Sequence, residues 1–202
     1  MLAGIAAGQA GGKVMILERN KRLGKKLLAT GNGRCNFSNA NIAMENYHGA
    51  NPAFVQGALR RFSATDTLDF FTQLGVVPKV EETGKIFPAS NQAASILDLL
   101  RWELEALGVQ VRTEALVERI DPGNNFSIYL AGGEKIQAKK LILATGGKAY
   151  PQSGSDGTGY AFAQKLGHRI IPPRPALVQL KLGGKFPRPS GIKIQGQARL
   201  LV

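Results

Sequence analysis

The sequence KKLLATGNGRCNFSN, residues 25–39, is the most informative segment of the chain. Its glycines allow backbone conformations that other residues avoid, and Asn32 and Asn36 tolerate the same turns. The segment should therefore form neither a regular helix nor a regular strand. Exposed backbone N–H groups beside Arg34 would bind an anion or a polar heterocycle. The alternative is a surface turn with a charged residue in it, and glycine loops alone do not separate the two.

The residues before this segment predict the second half of a dinucleotide-binding unit. Residues 2–10 predict a helix that ends at Gly11 and Gly12, and the apolar run 13–17 predicts a strand buried on both faces of a parallel sheet. Glu18 follows, where such a unit has a carboxylate that binds a ribose hydroxyl. The alternative is an ordinary surface acid. Because no G-x-G-x-x-G precedes the helix, we expect a chain truncated at its N-terminus, without the first strand and phosphate turn.

The residues after it predict helices, a β-meander and a second buried strand. Helices are expected over 52–62, 64–74, 93–107 and 160–166, an extended piece over 76–80 and a loop over 81–90. Strands are expected over 109–112, in the meander over 116–120, 126–130 and 135–138, and in a buried parallel strand over 140–144. This order predicts an α/β, Rossmann-like domain over residues 1–174. Strands over 178–182 and 193–202 would begin an inserted, β-rich and incomplete domain over residues 175–202.

Composition limits the class of protein and of partner. The 202 residues carry 26 Lys and Arg against 14 Asp and Glu, a net charge of +12. This balance suits an anionic partner. The charges are scattered and aromatic residues make up only 7%, so we interpret most of the charge as solvated surface and expect no nucleic-acid partner. The one cysteine excludes an intramolecular disulfide framework and favours a cytoplasmic location. No apolar run is long enough to span a bilayer.

The order of motifs resembles the BaiN-like family of bacterial FAD-dependent oxidoreductases, also called aminoacetone-oxidase-type FAD-binding enzymes. The combination of GNGRCN with ATGGKxYP is specific, and the matching segments cover most of the chain. They are ILERN (16–20), GKKLLATGNGRCNFSN (24–39), GKIFPASNQAASILDLL (84–100), LILATGGKAYPQSGSDGTGY (141–160) and KLGHRIIPPRPALV (165–178).

This resemblance implies a two-dinucleotide-binding flavoprotein that holds FAD, with NAD(P)H as a possible electron donor. Glu18 would hold the adenosine ribose, and the backbone of Val117 would meet the adenine edge. The pyrophosphate and flavin side would be lined by Thr30, Gly31, Gly33, Arg34, Cys35 and Asn36. Ala144, Thr145 and Gly146 would pack where the chain passes the cofactor. Neighbouring positions complete the predicted set: Arg19, Lys25, Asn32 and Gly147.

The sequence identifies no catalytic acid or base, no metal site, no substrate and no oligomeric state. In flavin enzymes the cofactor carries the redox step. Cys35 lacks a C-x-x-C partner, so we favour a structural or flavin-lining role over a redox thiol. His48 and His168 do not have metal-site spacing. Two alternative functions remain: a basic nucleic-acid-associated protein, and a folded fragment of the flavoprotein without activity of its own.

Overall fold

The computed structural model describes residues 1–176. The chain divides into two units, Met1–Ile171 and Pro172–Val202, and the first is described here. The strands expected over 178–182 and 193–202 lie outside the described residues, as does nearly all of the predicted domain 175–202. Within the described part, no helix has the length and apolar character needed to cross a membrane.

The described residues alternate helices and short strands. The helices are α1 (Leu2–Gln9), α2 (Lys25–Ala29), α3 (Gln56–Arg61), α4 (Ala64–Gln73), α5 (Ala93–Ala106) and α6 (Thr158–Lys165). The strands are β1 (Met15–Leu17), β2 (Ser38–Asn39), β3 (Pro78–Val80), β4 (Lys85–Pro88), β5 (Gln110–Arg112), β6 (Val117–Asp121), β7 (Phe126–Leu130) and β8 (Lys135–Ala138). Four short 3₁₀ turns cover Thr30–Gly33, Met44–Asn46, Pro52–Val55 and Pro151–Ser153.

The strands form three small sheets. β1 and β5 pair in parallel, with Ile16 opposite Val111. β4 lies between β2 and β3 in an antiparallel sheet. β6, β7 and β8 form an antiparallel meander. The predicted α/β class and the predicted meander are therefore confirmed, and the parallel pair is joined by a long connection that contains helices, as parallel pairing requires.

The main core lies between the parallel strands and the helices α1 and α5. Apolar residues of α5 recur at helical spacing on one face, and Ile96, Leu100 and Leu104 are at most 2% exposed. Burying each such side chain stabilises the fold by about 1.5–3 kcal/mol. At Gly4 of α1 an added Cβ would lie 2.8 Å from Cδ1 of Ile16, so the helix packs closely on β1. This packing fixes the strand end that carries Glu18.

Two segments are more regular than expected. Lys25–Ala29 forms α2, because KKLLA consists of good helix formers; irregular backbone begins only at Thr30. The expected loop 81–90 contains β4, whose Ile86 and Phe87 are buried. Pro88 is the last residue of β4 and lies opposite Pro78 of the edge strand β3.

The expected parallel strand over 140–144 is wrong. These residues belong to no strand, and Ile142 is 62% exposed. A strand needs a hydrogen-bonded neighbour, and within residues 1–176 β1 pairs with β5 alone. For the same reason Met15 of β1 is exposed rather than buried on both faces. Leu141 nevertheless packs against the buried side chains of the meander, which holds the segment in place.

Candidate functional site

Glu18 lies directly after β1, at the carboxyl end of the parallel pair. Its backbone N–H donates to the carbonyl of Arg112 at 2.9 Å, and its carbonyl accepts from Ala115 at 2.9 Å. The carboxylate Oε1 accepts from the backbone N and the Nδ2 of Asn20, at 2.8 and 2.7 Å. Both bonds use Oε1, and within residues 1–176 no hydrogen bond occupies Oε2. Ligands of open α/β sheets bind at this end of the strands, and contact of Glu18 with a ribose stays a prediction.

A basic cleft of about 520 Å³ opens beside Glu18. Four cationic side chains line it, together with Asn20 and one carboxylate, Glu114; the four are Arg19, Lys21, Arg22 and Lys25. This excess of positive charge favours an anionic ligand group such as a phosphate. Two members of the predicted cofactor-binding set, Arg19 and Lys25, therefore lie in one cleft next to a third, Glu18.

The turn Ser153–Asp156, here called the serine turn, packs against the residues that follow β1. Asn20 donates to the carbonyl of Ser153 at 3.2 Å, and Arg19 pairs with Asp156 at 2.8 Å. Hydrogen bonds from Thr158, and then the one from Arg19, hold the pKa of Asp156 well below its usual range. Asp156 thus stays ionised and ties the start of α6 to the cleft.

The serine turn also supports the predicted residues 144–147. The buried Ser155 hydroxyl donates to the carbonyl of Gly147 at 3.0 Å. A Cβ added at Gly146 would lie 2.5 Å from that hydroxyl, and one added at Gly159 of α6 would overlap the hydroxyl of Thr145. These close approaches fix the course of residues 144–147, whose first three members are exposed.

Lys26 joins the glycine-rich segment to this turn. Its Nζ donates to the carbonyl of Ala149 at 2.9 Å and to the Oγ of Ser155 at 3.0 Å. Lys26 is the second residue of α2, which leads into Thr30–Asn36, here called the glycine loop. Among the described residues no hydrogen bond joins the glycine loop directly to residues 144–147. Lys26 instead links α2, which precedes the loop, to Ser155, whose hydroxyl bonds Gly147.

The glycine loop has the unusual backbone that its composition predicts. Gly31, Asn32, Gly33 and Cys35 all have φ between 56° and 82°. The loop is closed by hydrogen bonds from Arg34 N to the Gly31 carbonyl and from Cys35 N to the Thr30 carbonyl, at 3.2 and 3.1 Å. Turns with left-handed residues are typical of anion-binding loops, but here the N–H groups of Arg34 and Cys35 bond within the loop.

Two side chains of the loop hold it against the β2–β4–β3 sheet. Arg34 donates to Glu81 at 2.6 Å and stacks over the ring of Phe87, with 3.9 Å to the centroid. The Asn36 amide, oriented to satisfy its neighbours, donates from Nδ2 to the carbonyls of Ser38 and Ile86, at 2.9 and 3.2 Å. The Arg34 guanidinium is therefore engaged within the protein, and a role for it at the cofactor stays a prediction.

Val117 and Cys35 are both placed in packing environments. Val117 starts β6 next to a register shift and packs on the buried cluster of the meander, which Leu17 of β1 also contacts. The expected contact of its backbone with adenine stays a prediction.

Cys35 is 5% exposed in the main core, and burial raises the pKa of its thiol. This environment favours the structural role over a reactive thiolate.

The Cys35 thiol is expected to react with a disulfide reagent about a hundredfold more slowly in the folded protein than in the urea-unfolded chain. Burial limits both access and the thiolate fraction. Because the chain has one cysteine, the released chromophore reports this position alone. Equal rates in the two states would contradict the packing role.

Sequence reasoning missed Asn20, Lys26, Ser155 and Asp156 as organising residues of the site. Their contacts between the two segments join positions 123 to 137 residues apart, whereas the bonds of Asn20 to Glu18, Ser155 to Gly147 and Thr158 to Asp156 are local. The signal available was the motif SGSDG, residues 153–157, whose small polar residues are typical of turns that approach other backbone closely.

The chain is similar to known proteins over its whole length. A family model described as "HI0933-like protein Rossmann domain" matches residues 1–192. The chain is 41% identical over 205 residues to a 3-dehydro-bile acid delta(4,6)-reductase of Clostridium scindens, covering 100% of this chain and 50% of that protein. It is 34% identical over 184 residues to a ribosomal RNA dihydrouridine synthase of Escherichia coli, covering 90% and 45%. It is 33% identical over 172 residues to a ribosomal RNA dihydrouridine synthase of Haemophilus influenzae, covering 83% of this chain and 43% of that protein. The chain spans about half the length of the curated relatives it matches.

Proposed function

The chain belongs to the family of HI0933-like proteins with a Rossmann domain, and from that membership we propose that it forms the FAD-binding part of a flavoprotein oxidoreductase. The observation that carries the proposal is the position of Glu18 at the carboxyl end of β1, with the basic cleft beside it. A carboxylate for a ribose and cations for phosphates at one strand end are the groups that a dinucleotide requires.

The residues present fit FAD in their chemistry. Oε2 of Glu18 would accept from ribose hydroxyls, and Lys21, Arg22 and Lys25 would neutralise the pyrophosphate. The left-handed backbone at Gly31 and Gly33 lets the glycine loop approach a flat ring closely. Bound FAD would supply the redox chemistry. The chain's own residues would bind and orient it, with Lys26 and Ser155 holding residues 144–147 in position.

We propose reduction of a ring carbon–carbon double bond as the reaction class. The names of the relatives support this: one is a delta(4,6)-reductase and two are dihydrouridine synthases, and dihydrouridine is uridine with its ring double bond reduced. A hydride and a proton are added across such a bond. Oxidation of NAD(P)H to NAD(P)⁺ would supply the two electrons.

We also propose a cytoplasmic location, with which a single cysteine is consistent.

The purified full-length protein is expected to carry the visible absorbance of a bound flavin, which NAD(P)H bleaches in the absence of oxygen. Adding FAD to the 202-residue chain and measuring flavin fluorescence tests whether this part binds the cofactor alone. A colourless full-length protein that fails to take up added FAD would overturn the proposal. Nucleic-acid binding that persists at moderate salt and depends on sequence or structure, in a protein without flavin, would favour a basic nucleic-acid-associated protein.

A further inference from the structure

A recess of about 600 Å³ opens where the chain leaves the glycine loop. It is distinct in its lining from the basic cleft. Its polar side chains are neutral amides and hydroxyls, and no charged residue lines it within the described part of the chain. They include Asn36, Asn39, Asn41, Asn46, Tyr47 and Thr83.

Two of the amides have a determined orientation. Oδ1 of Asn39 accepts from the backbone N–H of Asn41 at 2.8 Å, and Oδ1 of Asn46 accepts from the backbone N–H of Ala43 at 3.0 Å. A backbone N–H requires an oxygen partner, so the Nδ2 of each side chain is a hydrogen-bond donor. Asn39 is also held by close packing, since a Cβ added at Gly84 would lie 2.7 Å from its Oδ1.

A lining of oriented donors without charge selects a particular chemistry. Amide N–H groups and hydroxyls bind carbonyl oxygens well. Within the described part of the chain the recess offers an ionised ligand no side chain of opposite charge. The matching ligand is therefore uncharged and presents carbonyl oxygens. Phe37 and Ile42 also line the recess, and they give a ring an apolar surface to lie against.

The recess is continuous with the glycine loop through Asn36. This residue ends the loop, lines the recess, and is held by the carbonyls of Ser38 and Ile86. We propose that the recess binds the ring of the substrate through a carbonyl group conjugated to its double bond, with Nδ2 of Asn39 and Asn46 as the donors. The reaction assigned to the ring rests on the proposed function, whereas the binding itself does not.

Two sources of this chemistry are distinguishable by experiment. The ring could be the imide ring of a nucleoside, for which uridine is the probe, or the enone ring of a steroid, for which androst-4-ene-3,17-dione is the probe. Binding of each probe to the full-length protein is measured by calorimetry. Saturable binding of one probe alone identifies which ring the recess binds. Binding of both probes shows that the recess recognises the carbonyl group and not the rest of the ring.

The deciding variants are Asn39→Asp and Asn46→Asp. Each keeps the oxygen that accepts from the backbone N–H and replaces the Nδ2 donor by a second acceptor. We expect each to weaken probe binding about tenfold, the effect of losing one hydrogen bond to the ligand. Asn125→Asp introduces the same charge in the exposed turn before β7 and is expected to leave binding within about twofold. Thermal unfolding of each variant verifies that it folds.

The outcomes separate this inference from the proposed function. One outcome is a protein that contains flavin and binds the probe equally well after Asn39→Asp and Asn46→Asp. It would contradict the binding role of the recess and leave the flavoprotein proposal intact. A second outcome is a protein without flavin in which both variants, but not Asn125→Asp, lose probe binding. It would support the binding role of the recess and contradict the flavoprotein proposal. Failure of the wild-type protein to bind either probe would contradict the proposed binding role of the recess.

Discussion

Replacing Gly31 by alanine is expected to lower the free energy of unfolding by about 3 kcal/mol and to weaken FAD binding at least about tenfold. Gly31 has φ 56° and ψ 33°, a left-handed conformation that costs an alanine about 1–2 kcal/mol. The added Cβ would also lie 2.7 Å from the backbone N of Asn36 and 2.9 Å from the ring of Phe87. Neither neighbour moves easily, because one is backbone and the other is buried in β4.

Gly33→Ala is the matched control for this experiment. Gly33 has φ 82°, but the nearest atom to an added Cβ is the carbonyl oxygen of Leu28 at 3.9 Å. Gly33→Ala therefore has the unfavourable backbone conformation without the steric overlap. We expect it to lower the free energy of unfolding by about 1 kcal/mol. Urea unfolding followed by circular dichroism gives both stabilities, and titration with FAD gives both affinities. Equal losses for the two variants would show that the contact of Gly31 with Asn36 and Phe87 is unimportant.

Local patterns were sufficient to predict the elements in which one physical requirement dominates. The spacing of Ile96, Leu100 and Leu104 allows only an amphipathic helix. The turns at 122–125 and 132–133 divide the meander into strands whatever surrounds it. The glycine loop follows from residues that tolerate positive φ, and four of its residues have it. In each case the determining residues lie within a few positions of one another.

The remaining features depend on residues distant in sequence. An apolar run such as 140–144 has the same pattern whether or not a strand pairs with it, so the pattern could not reveal that Ile142 is exposed. The recess gave no signal because residues 40–51 are polar and lack periodicity. Lys26 donates to Ser155, which supports Gly147, from 129 residues away, and nothing near Lys26 in sequence indicates that partner.

Replacing Lys26 by methionine is expected to weaken FAD binding about tenfold and to lower the free energy of unfolding by about 1–2 kcal/mol. Methionine keeps most of the length of the side chain but cannot donate to Ser155 Oγ or to the carbonyl of Ala149. The stability loss is moderate because solvent reaches Ala149. The loss in affinity follows because this contact holds residues 144–147 in place relative to the glycine loop.

The adjacent lysine provides the control that separates position from charge. Lys25→Met removes the same charge one residue earlier, from an exposed side chain of the basic cleft. Its effect on FAD affinity should be electrostatic and should shrink as salt is raised, because exposed charges are screened. The effect of Lys26→Met should persist at high salt, since its hydrogen bonds to Ser155 and Ala149 position backbone. If salt removes the Lys26→Met effect as well, Lys26 acts only as a charge and does not connect the two parts of the site.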